Sequence, residues 1–133
     1  MAQRNFLPAD ARQRERAYSP AVKISGGTTI YLAGHTGYQD ERGETYPGNF
    51  DGQVRVAFEC MRKTLESAGG KLDDIVTMTV FITYMANGTR FTQLRKEFFK
   101  EGGYPASALI GIKELARPEM MIEIQAIAVL EST

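Results

Sequence analysis

The sequence predicts an α+β domain with the element order β-β-α-β-α-β-β. Three observations carry that prediction. Stretches 18–33, 75–83, 104–113 and 121–130 are rich in β-branched and apolar residues, the composition of strands. Between them, 49–68 and 91–99 carry apolar residues at helical spacing. Glycine doublets at Gly26-Gly27, Gly69-Gly70 and Gly102-Gly103 punctuate the pattern, as turns and helix ends require.

In chain order, residues 1–17 hold Arg4, Arg12, Arg14 and Arg16 with little apolar content, and are expected to be a solvated lead-in, free or draped over a domain that spans 18–133. Tyr18-Ser-Pro-Ala-Val-Lys-Ile, Gly26-Gly27 and Thr28-Thr-Ile-Tyr-Leu-Ala predict a β-hairpin. Gly34-His35-Thr36-Gly37 then makes a sharp exit or a close backbone approach to a ligand, and 38–48 is a turn-rich loop. From Asn49, the residues Val54, Ala57, Phe58, Met61, Leu65 and Ala68 give an amphipathic helix of about five turns. Ile75–Thr83 is a strand expected to turn Val76, Met78, Val80 and Ile82 to one face. Phe91, Leu94, Phe98 and Phe99 stripe a second, shorter helix. A closing strand pair follows, Tyr104–Lys113 and Met121–Leu130, separated by a loop around Ala116-Arg117-Pro118.

At 133 residues the chain is one ordinary domain, large enough for a real core. Sixteen basic and sixteen acidic residues cancel, which gives no net field to favour nucleic acid or an anionic membrane. No apolar run approaches the roughly 20 residues of a membrane span. The N-terminus has no apolar signal core, and the single cysteine, Cys60, fits a reducing compartment. A cytoplasmic protein is expected. Two helices can cover only one face of a five- or six-stranded sheet, yet the strands carry apolar residues on both. The second face is therefore expected to lie against other copies of the chain, and subunit seams make natural clefts.

The final strand turns Glu123 and Gln125 to one face, followed by Ile127 and Val129; Ile122, Ile124, Ala126, Ala128 and Leu130 form the other. A carboxylate on so apolar a strand is costly unless something pairs or uses it. Either it meets a basic residue across an interface or it takes a proton in catalysis. His35 is the only histidine, too isolated for a metal site. Ser107 has no nucleophile elbow around it, Cys60 is expected to pack within its helix, and the glycine doublets lack the spacing of a phosphate loop.

The ordered set Tyr18-Ser-Pro-Ala-Val, Leu32-Ala-Gly, Ala68-Gly-Gly-Lys-Leu-Asp-Asp-Ile-Val, Thr79-Val-Phe-Ile, Phe98-Phe99, Tyr104-Pro-Ala and Ile122-Glu-Ile-Gln-Ala-Ile-Ala-Val resembles the reactive-intermediate deaminase (RidA/YjgF) family from Tyr18 to Leu130. The resemblance implies a chorismate-mutase-like fold, and a homotrimer whose sheets line a central barrel, with small-molecule sites at the seams. It further implies hydrolysis of a reactive enamine or imine to a carbonyl compound and ammonia, without metal or organic cofactor. Tyr18, Gly34 and Glu123 match the family's site positions. Ala33-Gly34-His35 stands where Ser-Gly-Gln is common, and Thr92 where a helix asparagine lines the pocket. Ser107 stands where an arginine grips the substrate carboxylate. A serine hydroxyl is no substitute for a bidentate arginine, so the usual substrates come into question. In this reading Glu123 activates water and His35 contacts substrate or relays a proton, while Tyr18, Ala33, Gly34, Thr92 and Ser107 line the pocket. Arg117 is the first candidate to replace the missing cation, ahead of Arg95 and Lys113. The alternative is a non-catalytic, small-molecule-binding or chaperone-like trimer.

Overall fold

The helical period that begins at Asn49 becomes α2, Phe50–Ser67, with the Asn49 side chain accepting from the Gly52 N–H as its N-cap. Its apolar stripe, Val54, Ala57, Phe58, Met61 and Leu65, is fully buried. The computed structural model describes residues 2–131. Met1, Ser132 and Thr133 lie outside the described residues, the last two within the span that the sequence gives to the domain.

The other elements are β1 (Gln3–Phe6), α1 (Ala11–Glu15), β2 (Val22–Ser25), β3 (Thr28–Thr36), β4 (Ile75–Ile82), α3 (Gly88–Arg95), β5 (Ala106–Gly111) and β6 (Ile122–Leu130). A four-stranded mixed sheet has the order β3-β6-β4-β5, with β4 and β5 parallel and the other pairs antiparallel. α2 and α3 pack on one face over a core that includes Leu32, Met78, Val80, Ile82, Ile122, Ile124 and Ala126. Phe58 binds α2 to α3 and to the turn beyond it, its ring 6.1 Å from Phe91 on α3, and 4.6 Å from Phe98 and 5.7 Å from Phe99, which the sequence places on that helix but which lie past its end at Arg95. Such aromatic pairs add about 0.5–1.5 kcal/mol each beyond the area they bury.

Gln53, 1% exposed, holds the entrance to β6. Its Nε2 donates to the Tyr46 and Glu119 carbonyls, both at 2.9 Å, and its Oε1 accepts from the Met121 N–H at 2.9 Å. A helix side chain thereby ties two loops to the strand that carries Glu123.

Four expectations are corrected. First, the sequence-predicted hairpin turns at Gly26 and Gly27, both at positive φ (72° and 82°), but β2 and β3 do not pair. β2 pairs with β1, and Val22 and Ile24 pack against Val76, Ile127 and Val129. Burying that apolar side on the sheet's second face outweighs extending its edge. The chain thus divides its strands into a four-stranded and a two-stranded sheet rather than one of five or six. Second, the arginine-rich start is draped over the domain rather than simply solvated, with residues 3–6 and 11–15 forming β1 and α1. Arg4 is held by an ion pair to Asp74 (2.6 Å) and a hydrogen bond to the Val129 carbonyl (2.9 Å). Third, the closing strands are not partners, since β4 lies between β5 and β6. Fourth, a register shift between Ile75 and Thr77 breaks the alternation at the start of β4. Ile75 joins the helix-side core and Val76 the second-face cluster, as a β-bulge requires.

Beyond the patch that β1 and β2 cover, the second face stays open. Tyr31, Thr77, Thr79, Gln125 and Ile127 line a shallow concavity there, with Tyr31 78% exposed. No helix among the described residues is long and apolar enough to cross a membrane.

Candidate functional site

The site residues fall into two groups on opposite faces of the sheet. The first forms where β3 meets β6. Leu32 pairs with Ala126 and His35 with Ile124, so Ala33 and Gly34 bulge out between them. Glu123 stands opposite Thr36 on β3 and Phe81 on β4, half-buried and on the face away from the helices. Its carboxylate lies directly over Gly34. A Cβ built there would sit 2.7 Å from the Glu123 Cδ and would overlap Oε2. Gly34 is thus the absence of a side chain that lets the carboxylate rest on the bulged backbone.

His35 points the other way. Its Nδ1 lies 2.7 Å from the Ala33 carbonyl oxygen, and its Nε2 lies 2.8 Å from the Thr64 Oγ1 on α2. A carbonyl only accepts, so Nδ1 donates, and in the neutral ring Nε2 accepts the threonine hydroxyl. Both nitrogens are engaged on the helix side, away from Glu123.

The second group gathers at the free edge of β5. Ser107 pairs with Met78 and shares its helix-side face. Tyr18 precedes Ser19, which bridges to Ala106, donating its N–H to the Pro105 carbonyl and its hydroxyl to the Tyr104 carbonyl (2.6 Å). The Tyr18 hydroxyl accepts from Arg12 Nη1 at 3.2 Å. Thr92 is buried, and its hydroxyl donates to the Thr89 carbonyl of its own helix (2.7 Å).

Arg95 occupies the centre of this group, only 2% exposed. Its Nη1 donates to Ser107 Oγ at 2.7 Å, its Nη2 donates to the Arg16 carbonyl at 3.0 Å, and its plane lies 4.9 Å from the Phe91 ring centroid. Its Nε is buried without a partner. Burial, helped by the nearby Arg16 charge, pushes the guanidinium down to about 10. Next to it the buried Ala17 has φ 64°, a left-handed conformation that costs a non-glycine residue about 1–2 kcal/mol and belongs to the peptide that offers the Arg16 carbonyl.

Arg117, the sequence's first choice of cation, lies elsewhere, exposed and 5.0 Å over the Tyr38 ring, just past β3. Lys113 is exposed in the loop after β5. Arg95 has a signal of its own in the sequence. Phe91, Arg95 and Phe99 follow at i, i+4 and i+8, which puts an arginine inside the apolar stripe.

Within one chain the two groups stand two strands (about 10 Å) and three residues (about 10 Å) apart on opposite faces. A separate concavity of about 370 Å³ between α2 and the loop after β3 is lined by Asp40, Glu59, Cys60 and Lys63, among others, and includes no sequence-predicted site residue. Burial raises the Cys60 thiol above its ordinary range, which fits packing rather than nucleophilic use.

Residues 9–130 match the family model described as Endoribonuclease L-PSP. A 2-iminobutanoate/2-iminopropanoate deaminase of Dermatophagoides farinae is 32% identical over 114 residues, 86% of each chain. The crystal structure of RidA from the Antarctic bacterium Psychrobacter sp. PAMC 21119 is 30% identical, with a TM-score of 0.71 over 96% of this chain and 97% of that one. A Rid-family protein of unknown function from Yersinia pestis gives a TM-score of 0.85 over 96% and 98% of the two chains, at 24% identity.

Proposed function

We propose, because this chain belongs to the reactive-intermediate deaminase (RidA/YjgF) family, that it hydrolyses a small reactive imine, or the enamine in equilibrium with it, to a carbonyl compound and ammonia. The observation that carries the reading is the Glu123 carboxylate seated on the Gly34 backbone at the β3 bulge, on a sheet face that one copy of the chain leaves open.

The chemistry follows from a positioned carboxylate. Glu123 accepts a proton from a water molecule as the water oxygen adds to the imine carbon and the C=N π electrons move to nitrogen. Glu123 returns that proton to the nitrogen, giving a neutral aminoalcohol, then takes its hydroxyl proton as the carbonyl forms and passes it to the departing nitrogen as the C–N bond breaks, so that ammonia leaves. One water is consumed and one ammonia released, with no change of oxidation state. The Gly34 backbone supplies the floor on which the substrate's polar end rests.

The working unit in this proposal is a homotrimer. The open sheet face, with Tyr31 78% exposed, becomes the inner wall of a shared barrel. A site at the seam then joins Glu123 of one copy to the Tyr18–Ser107 edge of the next. Sedimentation equilibrium should give three times the chain mass, and Tyr31→Glu should reduce it to the monomer. A wild-type monomer at micromolar concentration would remove the seam from the account.

Gly34→Ala offers a local check. The atom it meets is the end of a flexible side chain, so stability should change by less than about 1 kcal/mol. Turnover should fall at least about tenfold as the carboxylate is displaced. Unchanged turnover would separate Glu123 from the chemistry. The function as a whole is tested by ammonia release from imines generated in solution, with and without the protein. An endoribonuclease reading, which the family model's description suggests, has no net positive charge in its favour, since sixteen positive charges meet sixteen negative.

A further inference from the structure

We infer that Arg95, on helix α3, is the residue that gives this chain its selectivity for an anionic ligand, holding a small carboxylate at the Ser107 hydroxyl. The inference begins with a charge that has no counter-charge. A guanidinium carries five N–H donors. The described partners of Arg95 are one hydroxyl and one carbonyl, with the Phe91 ring beside its plane, and Nε has none. Among the described residues no carboxylate bonds to it or figures in its electrostatic surroundings; the charged group that acts on it most is Arg16, of the same sign. A buried cation left in that state is costly, and the left-handed Ala17 adds backbone strain at the same spot. Ion pairs are plentiful on this chain's surface, where Arg55 meets Glu97 and Arg90 meets Asp51. The buried Arg95 has no such partner among the described residues.

The direction of the Arg95–Ser107 hydrogen bond says where the anion belongs. Arg95 can only donate, so Ser107 Oγ accepts and its own proton is free to be donated onward. Ser107 is half-buried where Arg95 is not exposed, so the hydroxyl is the accessible tip of a polarised pair. A carboxylate that accepts from Ser107 gains the field of a full positive charge one hydrogen bond behind it, and the charge is held in place before the ligand arrives. Arg95 is thus a positioning and selectivity residue, with Ser107 as the contact. A serine on β5 does not end recognition of a carboxylate, because the cation is delivered from α3.

The inference takes its ligand, a small 2-oxo or 2-imino acid, from the proposed function, but binding tests it without turnover. Pyruvate and its uncharged methyl ester are titrated into the wild-type protein, Ser107→Ala and Arg95→Met. Arg95→Met and Ser107→Ala should each weaken pyruvate binding, the former about 10- to 100-fold, while the ester's affinity stays within about threefold of wild type. Equal weakening of both ligands in Arg95→Met, or undiminished pyruvate binding, would overturn the assignment. So would a wild-type protein that binds pyruvate no better than its ester. If Arg95→Met does not fold, the Arg95 Nε–H resonance of the wild type decides. It should shift with pyruvate and not with the ester, and an unmoved resonance would refute the idea. Selective pyruvate binding without ammonia release would uphold Arg95 and refute the deaminase. Catalysed hydrolysis without preference for charged imines would do the reverse.

Discussion

Glu123→Gln is expected to lower imine hydrolysis by about 10²–10⁴-fold, the usual contribution of a positioned general base, while the fold and assembly persist. The substitution keeps the side chain's size and its place over Gly34, but an amide cannot take the proton that water must lose. Because Glu123 sits half-buried between Thr36 and Phe81, exchanging its carboxylate for an isosteric amide should leave the melting temperature within a few degrees. The measurement is kcat for ammonia release by wild type and variant at equal protein concentration, with circular dichroism as the control for folding. A variant with more than about a third of the wild-type kcat would remove Glu123 from the mechanism and leave the carboxylate as a strand residue with a structural partner.

The largest effect on stability is expected from Gln53→Leu. Leucine fills much of the same volume but strands the Tyr46 and Glu119 carbonyls and the Met121 N–H, each now held at 2.9 Å. At about 1–3 kcal/mol for each polar group left unmet, partly offset by water reaching the loop groups, the total comes to about 3–5 kcal/mol. For a domain of this size that is a fall of roughly 10 °C or more in melting temperature. Hydrogen exchange should quicken first at the start of β6, because Gln53 pins Met121 just before Ile122 and Glu123. A shift below about 3 °C would mean that the amide network is replaced by solvent without loss.

Both predictions rest on elements unequally visible in the sequence. α2 was legible because its local signals agreed: an apolar residue at every third or fourth position after Asn49, and Gly69-Gly70 at the close. The faces of β6 followed from simple alternation, and Ile122, Ile124, Ala126 and Ala128 are buried as that alternation requires. The strand partners were not legible. Nothing local tells β2 to leave β3 for β1, since that choice is made by Val76 and Val129, far along the chain. The bulges were hidden for the same reason. One inserted residue in β4 reverses the facing of Ile75 and Val76, and the Ala33–Gly34 bulge places His35 against Thr64 and Gly34 beneath Glu123. In the site, the close approach of Glu123 to Gly34 depends on the bulge, and the position of the cation did not follow from motif order. Arg117 stands close to the final strand in sequence, yet Arg95 reaches Ser107, because a helix crossing the sheet brings position 95 over position 107.

The most direct test of the account is the decay of a freshly generated 2-imino acid followed together with ammonia release at several concentrations of the protein. A first-order decay constant that rises in proportion to protein, with ammonia appearing at the same rate and Glu123→Gln giving only the uncatalysed rate, is the predicted result. Decay that proceeds at the rate of buffer alone, whatever the protein concentration, would contradict it and leave the chain a binding member of its family.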